Sequence, residues 1–121
     1  MNLVMIGRFK RPEDAAETKR LLDRLTKLVH DEQAAGRLAA GEPNERYSDQ
    51  FRAVAEEENC WLLGASELEQ FLYDVGVELK GDTIELRTDE VEVSAFLKIL
   101  LEHEAKVEVF SSHHHGTAKD E

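Results

Sequence analysis

The chain has 121 residues, 41% of them hydrophobic and 34% charged, and its 26 acids outweigh 15 lysines and arginines to give a formal charge of −11. That length supports one domain with a real core, and the balance is globular rather than disordered. The acidity sets the bulk surface against nucleic-acid phosphates, no apolar run approaches a membrane span, and the single cysteine, Cys60, excludes an internal disulfide and fits a reducing cytoplasm.

Residues 2–9, NLVMIGRF, are almost continuously apolar until Arg8. A strand with one wet face would alternate, so a central strand covered on both sides is expected. The positive charges follow this run rather than precede it, which is not a signal-peptide layout. Pro12 suits the first turn of a helix, Glu13 and Asp14 complement its positive end, and Leu21, Leu22, Leu25, Leu28 and Val29 form its buried stripe. Gly36 or Gly41 is the expected stop.

Residues 36–75 read as a helical insert. Ser48 is placed to cap a short helix with Phe51, Val54 and Ala55 on one side. Ser66 and Glu69 have capping-box spacing ahead of Leu72 and Val75, with Leu68 and Phe71 in the same helix. Asn59 to Gly64 is an apolar connector. The insert is also the most acidic region, with nine acids against Arg37, Arg46 and Arg52. Two readings stand for these charges, solvated helix faces or a docking surface for a basic protein, since complementary charge speeds encounter. Glu56-Glu57-Glu58 opposes the dipole of its own helix at a small cost.

Gly81-Asp82 reads as a two-residue hairpin loop, which pairs Lys80 with Thr83, Leu79 with Ile84, Glu78 with Glu85 and Val77 with Leu86. Val77, Leu79, Ile84 and Leu86 then share one face and the charged residues the other. Asp89 and Glu92 have capping-box spacing before a helix with Val93, Phe96, Leu97, Leu100 and Leu101 on one face, ending at Ala105-Lys106. Val107 and Val109 alternate with charge as a last strand.

The order β-α-(α-α)-β-β-α-β, without its bracketed pair, is the split β-α-β pattern of a ferredoxin-like α+β sandwich. It assigns residues 1–110 to one domain and 111–121 to a flexible polar tail. Such a sandwich leaves one sheet face open, and Val4 and Ile6 make that face of the first strand apolar. Either a second copy of the chain or the insert is expected to cover it, because a bare apolar sheet face is unusual on a monomer.

Arg8, Lys10 and Arg11 form a basic stretch with no acid among residues 1–11, and Arg87 is expected to end its strand at the same sheet edge. Together they could hold a small anion, metabolite or acidic peptide beside helix N-termini. The plainer alternative pairs them with Glu13, Asp14, Asp89 and Glu90. His113, His114 and His115 invite opportunistic metal binding without an ordered second shell, and His103 and His30 have neighbours that point in different directions around their helices. Cys60 sits among acidic and apolar residues, which raise a thiol pKa and argue for a structural role. Trp61, Phe71 and Tyr73 read as core or as a pocket between insert and sheet. No nucleophile–base pair, zinc spacing or glycine-rich phosphate loop is present, so no catalytic residue and no cofactor is assigned.

The stretches NLVMIGRFK, ELEQFLYDVGVEL, GDTIEL and VSAFLKILLEHEAKVEVF resemble a small uncharacterised bacterial family of unknown function. The resemblance covers most of the chain and implies a bacterial cytoplasmic protein. It also implies residues ahead of the NLVMIG strand, so that Met1 marks a shortened start. The expectation is a non-enzymatic association domain, homodimeric and with an acidic insert for a basic partner. The alternative is an anion-binding module on the basic edge.

Overall fold

The computed structural model describes residues 2–36, 49–90 and 92–111. Strand β1 (Leu3–Arg8) leads to helix α1 (Pro12–Ala34), followed by helix α2 (Asp49–Glu58) and a 3-10 helix (Ala65–Leu72). The hairpin β2 (Gly76–Lys80) and β3 (Thr83–Thr88), helix α3 (Ser94–Glu102) and strand β4 (Lys106–Ser111) complete the order. The protein is α+β, with one antiparallel sheet in the order β2-β3-β1-β4. The apolar β1 is therefore an inner strand, as its lack of alternation predicts, but the described helices cover only one of its two faces.

Alternation along the strands sends Met5, Ile84 and Leu86 to the face covered by α1 and α3, where they join the core. Leu21, Leu22, Leu25 and Val29 bury one side of α1 against it. On α3 the buried positions are Ala95, Phe96, Ile99 and Leu100. Phe96 and Leu100 are buried as expected, but Leu101 is 53% exposed, because the buried face turns toward Ala95 and Ile99. Gly7 has a packing reason. A Cβ there would lie 3.2 Å from a Leu100 methyl and 3.5 Å from the Ala105 Cβ, so β1 and α3 approach closely.

The helix ends obey local rules in part. Pro12 opens α1, and the helix stops at Ala34 with Gly36 at φ +78°, a left-handed position suited to glycine. At the end of α3, Ala105 N–H donates to Leu100 C=O at 3.0 Å and Glu104 N–H to Leu101 C=O at 2.9 Å. These two bonds make a Schellman cap, with Glu104 at φ +66° where glycine is usual. The expected Asp89–Glu92 capping box does not form: Val93 is the N-cap residue of α3, with no side-chain cap of its own. Ser66–Glu69 is displaced too. Gly64 N–H donates to Glu67 Oε1 at 2.7 Å and the segment winds as a 3-10 helix. Ser48 lies outside the described residues.

The described part of the insert, residues 49–75, lies on the helical side of the sheet. Helix α2 packs on α1, and the 3-10 helix lies against both α1 and α3. Phe51, Ala55, Leu63, Leu68 and Phe71 extend the core outward on that side.

Candidate functional site

The face of the sheet opposite the helices is built in rows set by the strand registers. Directly opposed residues in antiparallel strands share a face. One row is Lys80, Thr83, Arg8 and Lys106; the next is Glu78, Glu85, Ile6 and Glu108; the third is Gly76, Arg87, Val4 and Phe110. Ion pairs stitch neighbouring rows: Arg8 to Glu108 at 3.5 Å, Lys80 to Glu78 at 3.5 Å and to Glu85 at 3.7 Å, and Arg87 to Glu85 at 2.6 Å. Phe110 is 46% exposed and Ile6 half-buried, whereas Val4 is 2% exposed between Arg87 and Phe110. At this end of the sheet an open cleft of about 360 Å³ is lined by Asn2, Leu3, Val4, Asp74, Gly76, Arg87, Thr88 and Asp89.

The four cations expected to share one edge are separated. Because β1 and β3 run antiparallel, Arg87 pairs with Val4 and Arg8 with Thr83. Four residues of strand place the two arginines roughly 13 Å apart along β1. Arg11 is bound to Asp14, its Nη2 donating at 2.9 Å, Arg8 faces Glu108, and Arg87 faces Glu85. Lys10 is exposed beyond the end of β1. Of the acids proposed to neutralise them, Asp14 does so; Glu85 and Glu108 are the partners that the register supplies.

Two polar clusters escape sequence reasoning. In the first, Arg20 donates to Glu58 at 3.0 Å, and Arg24 binds Glu57 at 3.0 Å and Glu58 more tightly. The Glu56–Glu58 run is therefore in part the clamp that holds α2 to α1. Arg20, opposed by the burial of the site and helped by Arg24, holds the Glu58 carboxyl below its ordinary range. In the second, Ser94 Oγ donates to Glu67 Oε2 at 2.5 Å and Lys98 Nζ to Glu67 Oε1 at 2.7 Å. Burial pushes the Glu67 carboxyl up, but the hydrogen bonds from Lys98, Ser94 and Gly64 N–H outweigh it and the net direction is down. A carboxylate so stabilised is a poor base for Ser94, and the cluster satisfies itself as a helix cap.

Cys60 is buried, and burial followed by the charge of Glu58 raises its thiol pKa, as expected of a structural cysteine. Phe71 packs on Phe96 with ring centroids 5.0 Å apart, Tyr73 donates to Glu92 at 3.2 Å, and Trp61 is 47% exposed. These aromatics do not converge on one cavity. No cluster of three or more His, Cys, Asp or Glu able to hold a metal occurs among the described residues, and His113, His114 and His115 lie outside them. No helix among the described residues is long and apolar enough to cross a membrane.

Fold and surface together define a small α+β domain whose helices cover one sheet face and whose other face carries ordered rows of charge. The chain belongs to the family of unknown function DUF6375, whose model matches residues 1–120. No curated protein and no solved structure matches it.

Proposed function

We propose that this is a non-enzymatic protein-association domain of ferredoxin-like topology, homodimeric through the open face of its sheet. The strand order with β1 between β3 and β4 supports the topology, because each helical crossover joins strands separated by one other. The observation that carries the functional reading is the surface of that face. Ile6 presents apolar area on the inner strand β1 and Phe110 on the edge strand β4, while charges of both signs lie around them. Apolar area of this kind inside a ring of charge has the layout of an association surface, an apolar core with a polar rim. A cytoplasmic setting, consistent with one buried thiol, belongs to the same proposal.

Sedimentation velocity across a concentration series tests it. The wild-type chain sediments as a dimer, and Ile6→Lys or Phe110→Lys shifts it to monomer with an unchanged circular dichroism spectrum. Val4 is avoided, because a charge at a 2%-exposed site disturbs folding as well as association. A wild-type chain monomeric at every concentration overturns the reading.

A further inference from the structure

The cleft at the end of the sheet is bordered by charge of both signs. Asp74 stands just before β2 and Asp89 just after β3, and among the described lining residues Arg87 is the one cation. The strand acids of the open face, Glu78, Glu85 and Glu108, each have a cation partner. The carboxylates of Asp74 and Asp89 have no hydrogen bond or ion pair among the described residues, and both residues are exposed. Arg87 donates its Nε–H to Glu85 at 2.6 Å, which leaves its two Nη groups without a partner among the described residues. The walls of the cleft are tied together. Thr88 Oγ1 donates to Asp74 C=O at 3.1 Å and accepts Glu90 N–H at 3.1 Å, joining the lead-in of β2 to the exit of β3. Leu3 and the buried Val4 supply the apolar part of the lining.

We infer that this cleft binds a small zwitterion, a free α-amino acid, with its ammonium on Asp74 and Asp89 and its carboxylate on the Nη groups of Arg87. Charge decides the class. A simple anion at Arg87 meets two uncompensated carboxylates, and a simple cation on those carboxylates lies beside the guanidinium. A molecule that carries both charges answers both. The Nη groups suit a carboxylate, because paired N–H donors match its two oxygens. The cleft volume of about 360 Å³ falls at the lower end for small-ligand sites. Its open shape leaves a ligand side chain in solvent, so selection rests on the two charged ends. The inference concerns one copy of the chain and does not rest on the association reading above.

An NMR titration tests it, with the backbone amides of Gly76, Thr88 and Asp89 as reporters. The probes are L-alanine, L-leucine and L-glutamine, whose side chains carry no charge. Each is compared with its N-acetyl form, which lacks the ammonium, and its methyl ester, which lacks the carboxylate. At least one free amino acid moves the reporter signals saturably, and its two derivatives bind about tenfold more weakly, as the loss of a charged hydrogen bond implies. Arg87→Gln and Asp89→Asn, both at exposed residues and each checked for folding by circular dichroism, weaken binding about tenfold as well. Gly76→Leu fills the cleft without removing a charge, since a Cβ there lies 3.8 Å from the Arg87 carbonyl oxygen, an ordinary contact. The titration is repeated on Ile6→Lys, in which the association proposed above is broken. If no free amino acid gives a saturable shift in either chain, the inference is overturned. A derivative that binds as tightly as its parent overturns it too, as does binding that Arg87→Gln, Asp89→Asn and Gly76→Leu leave unchanged.

Discussion

The side chain of Gln70 caps a helix to which it does not belong. Its Oε1 accepts the N–H of Ala95 at 2.7 Å, and its Nε2 donates to Ser94 Oγ at 3.1 Å. Residues far apart in sequence thereby supply what a local N-cap would have supplied to α3. Ala95 is fully buried, so its N–H has no access to water if the amide is removed. Gln70→Leu is expected to lower unfolding stability by about 1–3 kcal/mol. Urea denaturation measures it, and an unchanged midpoint would show that another acceptor replaces the amide.

Glu58 ties the insert to α1 with its side chain only 11% exposed. Glu58→Gln is expected to cost about 1–2 kcal/mol at neutral pH, because it weakens charge-assisted hydrogen bonds from two arginines. Hydrogen exchange of α2 should quicken more than that of the sheet. Equal protection in both elements would place the effect elsewhere.

The same group gives a pH dependence. Its folded pKa lies below its ordinary 4.5, and Glu57 and Glu67 are displaced in the same direction. A depressed carboxyl contributes its stabilisation fully above the unfolded value and loses it as pH falls through the folded one. Melting temperature should therefore fall progressively from about pH 4.5 downward. Glu58→Gln should flatten that slope, and a variant with the wild-type slope would exclude Glu58 as a contributor.

Glu104 stands in a left-handed conformation at the C-terminal cap of α3. Glycine adopts that φ without Cβ strain, while its greater freedom in the unfolded chain offsets part of the gain. Glu104→Gly is expected to stabilise by about 0.5–1 kcal/mol. A lower melting temperature would indicate that the glutamate side chain contributes more than its backbone costs.

Gly7→Val puts methyl groups where Leu100 already lies 3.2 Å from the first added carbon. Overpacking of this kind costs about 1–3 kcal/mol. Leu100→Ala in the same chain should recover part of it, so the double variant is more stable than the sum of the single effects predicts. Strict additivity would place the clash elsewhere.

The elements governed by neighbours in sequence were legible. The Gly81-Asp82 turn fixed the β2–β3 register, and all four predicted pairs occur. Pro12 marked the start of α1, Gly36, one of two expected stops, its end, and the continuous apolar run of β1 its inner place. What escaped was non-local. Asp89 and Glu92 have the spacing of a cap, but Gln70 reaches Ala95 across the fold and α3 begins at Ser94. The pairing of Glu57 and Glu58 with Arg20 and Arg24 has no sequence signature, because it joins separate helices. Arg87 looked close to Arg8 until the antiparallel direction of β3 set them at opposite ends. The row structure of the open face needs the β1–β4 register, which no turn specifies.

The sheet's wiring also dictates when it can be assembled. Leu3 pairs with Thr88 on one side and Ser111 on the other, so β1 has no strand to join until the chain has been made past β3. During synthesis its apolar run waits while α1 and the insert emerge, and its last partner arrives with β4. Such long closures slow folding relative to a helical bundle and leave a sticky strand exposed to chaperones or aggregation in the interval.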